Sequence, residues 1–480
     1  MPKDIIDSLK KKYQGKKVLV VGLGLQGGGV GIARFFADLG ANVTVTDKKP
    51  KEKLLQSINR LSDLPVNFHL GGHQLSDFLE ADVIFKGPSV LWSMPEIVEA
   101  EKKGIPIEME LSFFASVFPG KIIGITGTRG KSTTTQLIFN LLKLSDFSVY
   151  LGGGLPGIST TNYLKTLTEN DWVVMEISSW ALSGFHRKKI SPHIALFTNI
   201  YPDHLNYYKN MDEYLYDKKA IFVYQKESNY LIINSSLLDS VPNFFYTRVS
   251  LRQGRGPLES KKKFVTSSTI FFSKKDFPNK LKYLMGDHNL ENAAAALQVA
   301  KILKINERKA VKIISSFKGL PFRQEIVGEK NSVVFVNDTT STTPIATIKA
   351  IDSFKNKKII LILGGNSKNL PFNTLIKRLI EVEKIVLLAG SFTDQILDIL
   401  RESIPEKISK KVYDNLEEAV IEAYRLCKSL DSGLRLNDKK YRNDKIVVLF
   451  SPGATSFAMF NNEFHRGDEF NRIVKKIIDI

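Results

Sequence analysis

Nine consecutive residues, Gly124-Ile125-Thr126-Gly127-Thr128-Arg129-Gly130-Lys131-Ser132, end in the glycine-lysine-hydroxyl series that cradles nucleotide phosphates. The strict spacing of a phosphate loop would put its first glycine at 125, where Ile125 stands, so the match is to the shorter series Thr-Gly-Thr-x-Gly-Lys-Ser, followed by Thr133. The physics is the same: amides from Gly127 to Lys131 can face phosphate oxygens, Lys131 can neutralise charge on the β and γ groups, and Ser132 can ligate magnesium. A second glycine turn, Gly22-Leu23-Gly24-Leu25-Gln26-Gly27, has the G-x-G-x-x-G form, and Asp47 lies twenty residues after it at a strand end. That spacing suits any ribosyl diphosphate, with Asp47 accepting from a ribose hydroxyl, and NAD is one such ligand. The glycines would equally serve close packing of helix on strand with no ligand at all. Glu176 closes the apolar run Val173-Val174-Met175. A carboxylate there, beside a phosphate loop, is a natural magnesium ligand, and a solvated strand end is the plainer alternative. Neither His204, one of seven histidines, nor Lys218 in the helix-like segment Tyr214 to Phe222 signals a role unaided.

These residues need elements to hold them. Lys17 to Val21 is a β-branched run that leads into the second glycine turn, and Val30 to Leu39 then has helical apolar spacing. Val43 to Thr46 and Asp82 to Phe85 supply further strands, so an α/β domain is expected over residues 1–107. The strands Lys121 to Thr126, Trp172 to Ile177 and His193 to Thr198 and the helix Leu290 to Leu303 define a second domain over 108–318, which Gly319-Leu320-Pro321 interrupts. The strands Val333 to Val336, Ile359 to Leu363, Ile385 to Leu388 and Ile446 to Phe450 define a third over 319–480. At about 150 residues per domain, three is also what 480 residues suggest.

Composition narrows the class further. Apolar residues at 43% and charged residues at 25% are those of a folded soluble protein, which leaves little room for disorder. The one cysteine, Cys427, rules out an intramolecular disulfide and fits a reducing compartment, so the expected location is the cytoplasm. No signal-like start and no run of about 18 apolar residues argue against secretion and membrane spanning. The net charge of +18 favours anionic partners. Its lysines are dispersed, and the dense stretches Lys10 to Lys12 and Lys261 to Lys263 lack interleaved aromatics, so a nucleotide is expected and nucleic acid is not.

In order and type, the motifs resemble those of the Mur ligases. The resemblance rests on Gly127 to Thr133, Glu176, Asp203-His204, Lys218-Lys219-Ala220-Ile221-Phe222 and His288-Asn289-Leu290-Glu291-Asn292, then on Arg323-Gln324-Glu325, Asn337-Asp338, Gly364 to Lys368, Ser451-Pro452 and Arg466-Gly467-Asp468-Glu469-Phe470. The last two look like the glutamate-adding branch. The resemblance implies a Rossmann-like UDP-binding domain, a central P-loop ATPase and a Rossmann-like amino-acid-binding domain. It implies ATP-driven joining of glutamate, expected to be the D isomer, to UDP-N-acetylmuramoyl-L-alanine through an acyl phosphate. ATP would contact Gly127 to Thr133, Asn289, Asn292, Arg323 and Asp338. One magnesium would sit on Ser132 and Glu176, and a second on His204 and a carbamylated Lys218. The UDP substrate would meet Gly24, Leu25, Gln26, Asp47, Gly87 and Ser178, and the amino acid Thr342, Lys368 and Ser456. Lys131, His204 and Lys218 would be the catalytic groups, and a monomer is expected.

The chain departs from the family pattern mainly around the ligands. Thr340 stands in place of a lysine, Phe322 of a histidine, and Glu463 of an aromatic, while Ala454, Thr455 and Ala458 also differ. Gly154 and Ala181 replace Asn and Gln, and Lys86-Gly87-Pro88-Ser89 replaces Ser-Pro-Gly. An L-glutamate-adding variant and another Mur-like amide ligase, such as one acting on folate, therefore stay open. An NAD-dependent oxidoreductase would leave the Lys131 loop unused, and a nucleic-acid-binding ATPase would leave His204 and Lys218 unexplained.

Overall fold

Strands form where short apolar, β-branched runs can be buried on both faces, and here each of the three sheets holds a strand that is followed by a glycine-bearing turn. The computed structural model describes residues 2–24, 27–154, 159–204, 207–241, 246–247, 262–263, 268–432, 445–456 and 459–479. Leu25, Gln26, Lys261 and Ala458 lie outside the described residues. The described residues make three α/β sheets, together with a short antiparallel ladder of β11 (Tyr246–Thr247) and β12 (Lys262–Lys263).

The first sheet holds β1 (Lys17–Val21), β2 (Asn42–Asp47), β3 (Val66–Leu70), β4 (Val83–Lys86) and β5 (Ile107–Glu108). All are parallel, in the order β3-β2-β1-β4-β5. The switch point falls between β1 and β4, at the glycine turn, where an open α/β sheet has its crevice. The second sheet holds β6 (Lys121–Thr126), β7 (Val149–Gly153), β8 (Trp172–Glu176), β9 (Ile194–Phe197), β10 (Tyr230–Asn234) and β13 (Ser268–Phe272), parallel in the order β13-β10-β9-β6-β8-β7. In β6, Ile122, Ile123 and Ile125 are buried, each contributing roughly 1.5–3 kcal/mol relative to exposure.

The third sheet runs β14-β15-β19-β16-β17-β18, from β14 (Glu325–Lys330), β15 (Val333–Asn337), β16 (Lys358–Gly364), β17 (Lys384–Leu388), β18 (Ile408–Tyr413) and β19 (Ile446–Phe450). Only β14 is antiparallel, paired with β15 across the turn at Asn331-Ser332. It lies at the sheet edge and none of its residues is fully buried, which gives a weaker sequence signal than the central apolar runs. Apolar clusters cover both faces, one including Leu361, Leu363 and Leu387, the other Ile360, Ile362 and Phe450.

The residues cluster into two compact units. One comprises 1–200, 212–276 and 292–313, with the first two sheets; the other comprises 201–211, 277–291 and 314–480, with the third. His204 and Asn289 therefore belong to the second unit and Lys218 and Asn292 to the first. The helix expected from Leu290 starts earlier, at Asp287, directly after Gly286. No helix among the described residues is long and apolar enough to cross a membrane.

Candidate functional site

The phosphate loop leaves β6 at Thr126 and enters the helix Lys131–Lys143. Gly127 has φ 146° and Gly130 φ 82°; a side chain at the first would collide with Thr198 Oγ1 and at the second with Asn292 Oδ1. Only glycine suits those two bends. Asn199 holds the loop from behind: its carbonyl accepts from Thr128 N at 3.0 Å and its Oδ1 from Arg129 N at 2.8 Å. Thr198 Oγ1 and Asn199 Nδ2 donate to Arg129 O at 2.7 and 3.1 Å. Of the amides from Gly127 to Lys131 expected to be able to face phosphate, those of Thr128 and Arg129 donate to Asn199 instead, which corrects the expectation at these two residues. Lys131 Nζ lies over the same loop, donating to Gly127 O at 3.1 Å and Thr128 O at 3.2 Å. Asn292 is tied to this helix through Thr134 Oγ1 at 3.1 Å.

Glu176 pairs with Ile125 across β8 and β6, so its carboxylate leaves the sheet at the end that carries the loop. Its Oε2 is buried without a hydrogen-bond partner among the described residues. An orphaned carboxylate oxygen at the sheet end that carries the phosphate loop fits a hard divalent cation, because magnesium takes few protein oxygens and completes its shell with water and phosphate. Among the described residues no three His, Cys, Asp or Glu side chains cluster as a self-sufficient metal site. Lys218 is 1% exposed, and its Nζ donates to Gly127 O at 2.9 Å beneath the loop. It also lies 4.8 Å from the ring of Tyr214, whose hydroxyl meets Thr128 Oγ1 at 3.1 Å.

In the first sheet, Asp47 turns inward. Its Oδ2 accepts from Leu23 N and Gly24 N at 2.9 and 3.2 Å and its Oδ1 from Lys49 N at 2.9 Å, so the carboxylate shapes the glycine turn itself. Gly87 N bonds Val21 O at 2.8 Å, which brings the end of β4 alongside this turn. Ser178 caps the helix Ser179–Lys188 by accepting from Ala181 N at 3.2 Å. Glu110 received no role from sequence, yet its Oε2 lies 3.4 Å from where a Cβ at Gly28 would be, at the start of the helix Gly28–Asp38. Its Oε1 accepts from Ser159 Oγ at 3.0 Å, and burial pushes its carboxyl up to about 7 against these hydrogen bonds.

The second unit gathers the remaining candidates. Asp338 is buried, accepting from Ser451 Oγ at 2.8 Å, Gln324 N at 3.2 Å and Ser341 Oγ. Burial pushes it up to about 6, opposed by those bonds and by the charge of Arg323. Lys368 Nζ donates to Thr342 Oγ1 at 3.1 Å and lies 4.0 Å from Asp203 Oδ1. Ser456 Oγ is buried and has no partner among the described residues. Thr340, which stands where a lysine was expected, donates to Phe322 O at 2.9 Å. His204 has φ 55°, and its amide donates to Asp203 Oδ1 at 2.9 Å. Asn289 Nδ2 donates to Met285 O at 2.7 Å, and burial beside Lys349 pushes His288 down to about 4. The sequence motif around Arg466 drew attention to the segment but not to this side chain, which is buried against Thr339 and Ala454.

Known proteins resemble this chain over nearly its whole length. Residues 16–108 match the family described as Mur ligase MurD-like, N-terminal domain, and residues 125–300 match Mur ligase middle domain. The chain is 34% identical over 481 residues to UDP-N-acetylmuramoylalanine–D-glutamate ligase of Roseiflexus sp. (strain RS-1), covering 96% of this chain and 98% of that one. It is 32% identical over 487 residues to the protein of the same name from Clostridium tetani, covering 99% and 100%. Among solved structures, the UDP-N-acetylmuramate-alanine ligase of Thermotoga maritima superposes with a TM-score of 0.54 at 19% identity, covering 96% and 99%. The MurF ligase of the same organism, in complex with ADP, gives 0.53 at 18% identity, covering 98% and 96%. At those identities the structures speak for the fold.

Proposed function

The chain belongs to the Mur ligase family, and from that premise we propose that it joins D-glutamate to UDP-N-acetylmuramoyl-L-alanine at the expense of ATP. The reaction forms an amide and releases ADP and phosphate, within cytoplasmic peptidoglycan precursor synthesis, on which cell shape and division depend. The observation that carries the ligase chemistry is the pairing of a lysine-bearing phosphate loop with the orphaned Glu176 Oε2 at the same end of one sheet.

In this reading the substrate carboxylate attacks the γ-phosphorus of ATP, ADP leaves, and the amine of glutamate displaces phosphate from the acyl phosphate. Phosphoryl transfer is catalysed chiefly by positioning and charge neutralisation. Lys131 and the helix amides neutralise charge developing on the β and γ groups. Ser132 and Glu176 would hold magnesium, which supplies further neutralisation when bound. His204 and Lys218, the latter as its carbamate, are the proposed holders of a second cation. Asn289, Asn292, Arg323 and Asp338 are assigned to ATP. Gly24, Leu25, Gln26, Gly87 and Ser178 are assigned to the nucleotide substrate, and Asp47 joins them through the turn it shapes. Thr342, Lys368 and Ser456 are assigned to the amino acid. The three domains of the sequence reading and a monomeric state complete the proposal.

The test is phosphate release from ATP with UDP-N-acetylmuramoyl-L-alanine, comparing D-glutamate, L-glutamate and no amino acid, with mass analysis of the product. Turnover with D-glutamate is expected. Turnover with L-glutamate alone would keep the mechanism and reverse the stereochemistry, and release with neither would sink the assignment.

A further inference from the structure

Arg466 sits one turn into the helix Glu463–Asp479 and is 1% exposed. Its Nε donates to Thr339 Oγ1 at 2.9 Å, and its Nη2 to Thr339 O at 2.8 Å and Ala454 O at 3.2 Å. Thr339 is on the loop after β15 and Ala454 on the loop after β19, so one guanidinium clips two loops together. All three acceptors are neutral. Among the described residues no carboxylate lies within ion-pair distance. Glu463 acts on it only through its field, and burial pushes the guanidinium down to about 10.

A buried charge is normally paired, since leaving one unpaired costs several kcal/mol. Ser456 Oγ is buried without a partner among the described residues, and Lys368 Nζ donates to Thr342 Oγ1 at 3.1 Å. Arg466 Nη1 faces the Cα of Gly365, 3.6 Å from where a Cβ would sit. The loops around it are fastened to one another. Asn366 and Thr455 form an antiparallel bridge, Gly453 N donates to Ser341 O at 2.9 Å, and Gly364 N to Pro452 O at 3.0 Å. The result is a fastened, hydroxyl-lined frame around a buried guanidinium whose acceptors are all neutral, with Lys368, which also lies 4.0 Å from Asp203 Oδ1, at Thr342.

We propose that Arg466 is a positioning residue for the acceptor amino acid: it sets the Thr339 and Ala454 loops at the spacing a dicarboxylate bridges, and its charge is balanced when that dicarboxylate binds. This rests on the ligase reading above. Arg466 acts through the loops it holds and through its field, which ties it to affinity for glutamate and separates it from the ATP chemistry.

The test uses full-length Arg466→Lys and Arg466→Met, with KM measured separately for glutamate, ATP and the nucleotide substrate. Arg466→Met is expected to raise KM for glutamate about tenfold or more, as loss of a charge-assisted contact network does, and to leave KM for ATP unchanged. Arg466→Lys, which keeps the charge but cannot reach both loops, should fall between. Glutamate should raise the Tm of the wild type and not that of Arg466→Met. An unchanged glutamate KM in both variants overturns the proposal, as does a parallel rise in all three KM values. Should Arg466→Met fail to fold, the Lys variant decides: wild-type glutamate KM and Tm response there would overturn it. Absence of glutamate turnover by the wild type brings down the ligase reading itself, whereas wild-type turnover with unaltered variants removes only the role of Arg466.

Discussion

The phosphate loop of the central sheet and the loops of the C-terminal sheet present anion-seeking groups by opposite routes. The first is one continuous segment, Gly124 to Ser132, bent by two glycines and held by Asn199 together with Thr198 and Lys218. The second is assembled from loops after β15, β16 and β19 and relies on buried polar ties through Asp338 and Arg466. Both leave a buried oxygen without a partner among the described residues, Glu176 Oε2 in one and Ser456 Oγ in the other. The contrast teaches that a local site fails when its own residues change, whereas an assembled site also fails through residues that never meet the ligand.

Three substitutions probe that contrast. Lys131→Ala should have the largest effect, lowering turnover by roughly a thousandfold or more, because phosphoryl transfer depends on charge neutralisation at that position. Residual phosphate release near wild-type rate would show that the local loop is not the ATP site. Lys218→Ala should also abolish most turnover, and short carboxylic acids added to the assay should restore part of it by supplying the missing anion. Full activity without them would mean that Lys218 serves only as a prop under Gly127. Lys368→Ala should raise KM for glutamate about tenfold and leave KM for ATP unchanged, since only the assembled site loses a charged donor. Equal rises in both would blur the two regions into one.

The smallest effect concerns Glu110, whose carboxyl is raised from 4.5 to about 7 by burial. Its folded form holds the proton more tightly than the unfolded chain does. Its contribution to stability is therefore fully present below the unfolded value and is lost as pH rises from about 4.5 through about 7. Glu110→Gln should flatten that decline in a plot of Tm against pH, by a few degrees at roughly 2–4 °C per kcal/mol. An identical slope in the variant would show that other groups govern it.

Residue types and spacing alone identified the α/β class, the parallel apolar strands and the phosphate loop. All of these depend on contiguous stretches whose geometry is set by covalent spacing and local burial. Lys17 to Val21, Lys121 to Thr126 and Ile446 to Phe450 appear as strands over the same residues read from their β-branched runs. Tertiary structure alone decided that Asn199 occupies two loop amides and that Asp47 turns inward on the glycine turn. It also decided that Glu110 meets the start of the helix at Gly28 and that Arg466 clips Thr339 to Ala454. Each of those contacts joins residues far apart in the chain, and neither periodicity nor motif spacing encodes which distant polar group a buried donor will find. Burial then makes the pairing obligatory, since a buried polar group must be satisfied by whichever partner the fold brings to it.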